Sequence, residues 1–241
     1  MLRRSSTDCR MGRFRFKGAV INMRMIAKVN ALILEFMKSN NFRKCGNLYF
    51  NIKNDISFCI NLEQPTGLVY CTFSVMPLYM PAQVRYFTYG NRLNSFSPHP
   101  VPTLKKEASD FAVSNWSLQL RSALQETVFP FFDSISDASS LNEFLQDDLQ
   151  NIRKYFFCAE IDIYRLKLYT NLALNRNNIL LEMLSDSSGV LERSPHIQGE
   201  IKRKYVEEFS NMYHIVTTHG FDSCQFIKNT IQYTQKALFN F

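Results

Sequence analysis

The chain has one tryptophan and eight glycines, and those glycines fall in no G-x-G-x-x-G or G-x-x-x-x-G-K run. The usual backbone cradles for phosphate are therefore missing. Among the six cysteines no C-x-x-C pair occurs, and a chain of 241 residues has no need of disulfide staples. No apolar stretch approaches the roughly 20 residues that span a bilayer. The best, about Val29 to Met37, is interrupted by Asn30 and Glu35. The first residues also lack the apolar run of a secretory signal, because Arg13, Arg15 and Lys17 interrupt Phe14 and Phe16. Of the four histidines (His99, His196, His214, His219), only His214 and His219 lie close, at a spacing that does not put both rings on one helix face. These absences exclude a membrane-spanning protein, argue against export, and imply neither a metal nor a cofactor. A reducing, cytoplasmic setting is expected.

What is present is an ordinary globular composition, 46% apolar and 14% aromatic, with 21 phenylalanines that forecast a Phe-rich core. The formal charge of +7 is localised. Residues 1–24 hold seven basic groups and one acid, while the remaining 217 residues hold 21 basic and 20 acidic groups. A nucleic-acid partner is thus not expected apart from this basic arm, since a nearly neutral body releases few counterions. Residues 1–22 read as a disordered arm or a misassigned start, with Met11, Met23 and Met25 as later starts. Their Arg- and Ser-rich, acid-poor composition is also that of a mitochondrial presequence.

Periodicity divides the rest into an α+β meander domain over 23–130 and a helical region over 131–241. From Met25 to Ser39, Ile26, Val29, Ile33, Phe36 and Met37 recur at helical spacing, and Asn40-Asn41 closes the helix. The period then switches to two. Two strands are predicted within 48–62, joined by the linker Lys53-Asn54-Asp55, then a third over 68–76 after a turn at Pro65-Thr66-Gly67 and a fourth over 83–89. The fold class is α+β: an N-terminal helix packed on an antiparallel meander of about four strands, then an all-α region. The helical reading begins at Asn115, within the meander domain: Trp116, Leu120, Ala123, Leu124 and Thr127 share a helix face that Pro130 should end. A helix start is expected at Ser139-Ser140, and further helices at about 161–175, 178–184, 200–219 and 224–239.

Two segments, NNFRKCGNLYFNI (Asn40 to Ile52) and YGNRL (Tyr89 to Leu93), together with Trp116 and VFPFFDSISDASSLNEFL (Val128 to Leu145), carry a resemblance. Over roughly residues 25–150 the chain resembles the bacterial domain-of-unknown-function family four-three-zero-four. In that family a helix leads into a β-meander, and an Arg-Leu pair, a tryptophan and a proline-containing helical step follow. Trp116 stands alone where an aromatic pair is often seen, and the C-terminal residues lie outside the match. The resemblance implies no activity.

Candidate chemistry is sparse. Arg85 and Tyr89 would share a face of the fourth strand, and Arg92 follows just past its end. These three with Trp116 form a candidate recognition site, guanidinium groups for a carboxylate or phosphate and an indole as wall. The competing reading makes Arg92 a structural ion pair and Trp116 core. Cys224 with His219 is a conceivable nucleophile pair, against the blander reading of a buried thiol opening the last helix. Asp147-Asp148 read as a solvated helix face. The leading expectation is a non-enzymatic binding or protein-interaction module, an immunity or toxin-neutralising role being its specific form by analogy. The alternative is a hydrolase or transferase with dispersed Cys, His, Asp and Arg residues.

Overall fold

The computed structural model describes residues 19–82, 88–96, 99–195 and 197–239. Most of the basic arm, Arg85, and all but the last two positions of the expected 83–89 strand lie outside the described residues. Helix α1 runs Ala19–Ser39. Val29, Ile33 and Met37 are wholly buried along one stripe, while Lys28, Glu35 and Lys38 stay exposed. Asn41 ends it with φ 65°, and the Phe42 N–H reaches back to the Met37 carbonyl at 2.9 Å, as a left-handed cap requires.

An antiparallel sheet follows: β1 Arg43–Cys45, β2 Leu48–Lys53, β3 Ile56–Glu63, β4 Leu68–Pro77 and β5 Gly90–Arg92, paired in that order. A sixth strand, β6 Leu104–Lys105, pairs with the beginning of β4, beside the rungs that β5 takes at Thr72 to Ser74. The predicted meander is thus extended by three strands of two or three residues each, too short to show a period. The β2–β3 hairpin turns on Asn54 and Asp55, both at positive φ (42° and 68°), the conformation a two-residue turn needs.

Register sorts the side chains onto two faces. Tyr49, Phe58, Ile60, Leu62, Phe73 and Val75 face α1 and the main core. Asn30 is buried in α1 and accepts the Tyr49 hydroxyl on its Oδ1 at 2.7 Å, which fixes the helix over the sheet. The other face carries Leu48, Phe50, Cys59 and Met76 at one end and Asn61, Glu63, Thr72 and Arg92 at the other.

The helical part comprises α2 Asp110–Ala123, α3 Phe129–Ser134, α4 Ala138–Phe144, α5 Leu149–Tyr155, α6 Glu160–Ala173, α7 Asn177–Ser185, α8 Ser187–Glu192, α9 Gly199–Thr217 and α10 Ser223–Phe239. Pro130 does not stop the helix that contains Trp116. A π-helical turn over Leu124–Val128 joins α2 to α3, and Phe129 N–H bonds the Leu124 carbonyl, so the extra residue absorbs the missing proline N–H. The cap of α4 is Asp137 rather than Ser139 or Ser140. Its carboxylate accepts the Ser140 N–H at 2.8 Å and the Ser140 hydroxyl at 2.9 Å.

Helix α6 is buried nearly all round, with Ile161, Ile163, Leu166, Leu168 and Leu172 all inside. Phe131 is the hub of the Phe-rich core, stacked on Tyr155 at 4.0 Å and edge-on to Phe73, Phe144 and Phe156. One buried cluster runs from Met25 through the sheet to Phe209, Met212 and Ile227. The end of α10 returns to the second face of the sheet. There Leu238 and Phe239 cover Leu48, Phe50 and Cys59, Phe239 stacking on Phe50 at 4.6 Å.

Candidate functional site

Helices α6, α9 and α10 border a groove of about 430 Å³ that Pro81 also lines. Leu172, Met212, Ile215, Val216 and Phe226 form its apolar wall. The residues come from the inner edges of amphipathic helices. In α9, Phe209 and Met212 point to the core, and Ile215 and Val216 are half-buried one turn on.

A polar seam runs along one side. The Glu208 carboxylate accepts Arg165 Nε–H on both oxygens (2.8 and 2.9 Å) and the Tyr169 hydroxyl at 2.8 Å. Beside it, Tyr205 donates to Asp162 Oδ1 at 2.6 Å, and burial first, then that hydrogen bond, hold the Tyr205 phenol above its ordinary range. At the rim Lys204 pairs with Glu200 at 3.0 Å and Arg203 with Glu207 at 3.7 Å. Glu208, Lys204 and Glu207 each have an opposite charge, and Asp162 is held by the Tyr205 hydroxyl. A carboxylate already held by an arginine Nε–H shared between its two oxygens and by a tyrosine hydroxyl is poorly placed to abstract a proton, so the seam orients and satisfies rather than reacts.

The residues singled out by sequence do not gather. Tyr89 is buried against Phe156 (ring centroids 6.0 Å apart), and its hydroxyl donates to the Asp162 carbonyl at 3.2 Å, tying the end of the sheet to α6. Trp116 is buried in the main core and its indole N–H bonds the Pro102 carbonyl. Arg92 lies on the opposite sheet face, where it is exposed, 3.6 Å from Glu63 and with its guanidinium 4.9 Å above the Tyr70 ring. Glu63 also accepts the Thr72 hydroxyl at 2.7 Å, so Arg92 belongs to a closed polar strip. Arg85 lies outside the described residues.

The other candidates resolve as follows. Cys224 is exposed, not buried, at the start of α10, and His219 is exposed in the preceding turn. Asp148 is the N-cap of α5, accepting the N–H groups of Gln150 (2.9 Å) and Asn151 (3.0 Å). Burial first, then the charge of Asp162, push the Cys158 thiol up to about 12, and burial raises the Cys71 thiol as well, followed by the charge of Glu63. Among the described residues no three His, Cys, Asp or Glu side chains could hold a metal ion together, and no helix is long and apolar enough to cross a membrane. The groove itself was missed by sequence reasoning. Its only trace is the half-buried apolar shoulder beside the main stripe of α9.

The architecture defines an α+β protein in which an antiparallel sheet is covered by α1 on one face and by the end of α10 on the other. No family model, no curated protein and no solved structure matches the chain.

Proposed function

We propose that this protein is a non-enzymatic interaction module that holds a partner protein in the groove between α6, α9 and α10. One observation carries the reading: the groove has an apolar wall, while the charged groups that line it, Lys204, Glu207 and Glu208, are each already paired with an opposite charge. Such a surface contributes free energy on burial without desolvating an unpaired charge. A cytoplasmic setting belongs to the same reading, since the six cysteines form no C-x-x-C pair and a chain of this length needs no disulfide staples. The immunity or toxin-neutralising form of this role, and a bacterial source, rest on analogy with other small α+β domains.

The test is proximity cross-linking in cells that express the protein, with Val216→Glu placed on the half-buried groove wall and Arg92→Ala on the far sheet face as comparator. The same partner should be captured by the native chain and by Arg92→Ala, and lost in Val216→Glu, while the melting temperatures of all three stay close. A partner retained by Val216→Glu would sink the assignment.

A further inference from the structure

Along α6, Glu160, Ile163, Tyr164 and Lys167 recur at three- and four-residue spacing, so they share one face of the helix. With Ile152 of α5 and Val190 of α8 they line a recess of about 210 Å³. Ile152, Ile163 and Val190 are buried and form the apolar part of its lining. None of these residues lines the groove between α6, α9 and α10.

Lys167 is the unusual member of this set. It is half-buried, and its amine makes no hydrogen bond or ion pair with any described residue. By contrast Lys28, Lys53 and Lys204 each meet a carboxylate. Glu160, whose charge acts on Lys167, is itself paired with Arg193 at 3.7 Å. Loss of water around the ammonium, opposed by the charge of Glu160, holds Lys167 below its ordinary value of 10.5. A lysine that lays its stem over apolar surface and keeps its head in water is not shifted in this way. More of the Lys167 amine is therefore neutral near pH 7, and the neutral amine is the nucleophile.

The surroundings decide which electrophile suits it. Acylation would abolish the charge of Lys167 and leave Asp147, Glu160 and Asp186 with Arg193 as the one cation among the described lining residues. Condensation with an aldehyde keeps a positive charge on the nitrogen, among those carboxylates. The alkyl group of the aldehyde then has Ile152, Ile163 and Val190 to lie against.

We propose that Lys167 captures a small apolar aldehyde in this recess as a reversible Schiff base. The amine nitrogen adds to the carbonyl carbon, and the carbonyl oxygen leaves as water. Counted from the ammonium, two protons pass from nitrogen to that oxygen, so the product is a protonated imine plus water, with no oxidant or reductant. The inference does not depend on the helical groove.

The probe is isovaleraldehyde, added to the full chain near neutral pH and trapped with sodium cyanoborohydride, which reduces the imine to a stable secondary amine. Peptide mapping by mass spectrometry then reads the adduct at each lysine. Lys167 should be labelled about tenfold or more faster than the exposed Lys202 and Lys228, with saturation as the aldehyde is raised. Lys167→Arg keeps the charge and should remove that adduct alone. Glyoxylate, an aldehyde that carries a carboxylate, should lose the preference for Lys167 over Lys228, because the recess is lined by acids and apolar groups. Labelling of Lys167 no faster than of Lys202 and Lys228 would overturn the proposal, and so would an equal preference with glyoxylate, which would leave a reactive amine without a recess that selects. Should Lys167→Arg fail to fold, the two aldehydes on the native chain decide.

Discussion

Two neighbouring residues on the sheet carry opposite expectations. Gly90 has an ordinary backbone conformation, so its requirement is steric. A Cβ there would lie 2.0 Å from the Phe73 carbonyl oxygen and 2.7 Å from the Ser74 Cα. Backbone cannot move aside as a flexible side chain would. Gly90→Ala is therefore expected to cost about 3 kcal/mol in urea unfolding, the upper end of overpacking penalties; a loss under about 1 kcal/mol would mean that β5 can shift as a unit. Across the rung, Ser74 is fully buried and its hydroxyl has no hydrogen-bond partner among the described residues. Ser74→Ala removes an uncompensated desolvation and is expected to be neutral or to stabilise by up to about 1 kcal/mol. Neither expectation could be read from the sequence, where Gly90 looks like the end of a strand and Ser74 like one polar position among apolar neighbours. Asn30 shows the same limit: it interrupts an apolar run, yet its burial is satisfied by Tyr49 from another element.

At the scale of elements, legibility followed length. Helices α6, α7, α9 and α10 carry a repeating apolar stripe, and their ends lie within two residues of the expected ones; α1 ends at Ser39 as expected but begins at Ala19, six residues before the expected start. Strands β1, β5 and β6 have two or three residues and are defined by the neighbour they pair with, which no local pattern records. The candidate recognition group failed to assemble for a related reason. Tyr89 and Arg92 are three apart along an extended chain, an odd spacing that puts them on opposite faces whatever the strand is called. The groove, conversely, is bordered by three helices, whose arrangement depends on packing rather than on spacing. Helix α4 offers a test of its own. The hydrogen bonds from the Ser140 N–H and hydroxyl hold the Asp137 carboxyl below its ordinary value of 3.8. A depressed folded-state value contributes stability above the ordinary carboxylate range and loses it as the pH falls through the lowered value. Asp137→Ala should thus cost about 1 kcal/mol at neutral pH, and the gap to the native chain should close in acid. Denaturant midpoints measured across that range check it, and a gap independent of pH would show that the charge is irrelevant to the cap.

For the whole molecule, the decisive feature is continuity between the sheet and the helices. Tyr79 meets Thr170 at 3.2 Å, Tyr89 reaches Asp162, and Thr234 of the last helix donates to the Met80 carbonyl at 3.2 Å. These bonds sit within or beside a single buried cluster, so the meander and the helices should lose structure together. A buried tyrosine in the sheet part and a half-buried one in the helical part can report on this. Tyr49, between α1 and the sheet, is pushed up from 10.0 to about 12 by burial first and then by the charge of Cys71. Tyr164, on α6, is likewise pushed up to about 12 by burial and then by Asp186, with Arg193 opposing. A phenol whose folded value is raised favours the folded state fully below its ordinary value, and that support is lost as the pH climbs toward the raised one. Between about pH 10 and 12, unfolding therefore becomes progressively easier. Phenolate absorbance compared among the native chain, Tyr49→Phe and Tyr164→Phe would assign each titration, and far-ultraviolet circular dichroism would follow the fold. If the molecule is one unit, Tyr49 and Tyr164 ionise in a single step coincident with loss of secondary structure. If Tyr164 ionises while the sheet and Tyr49 persist, the helical part opens independently, and the groove between α6, α9 and α10 would lie in the less stable portion of the chain.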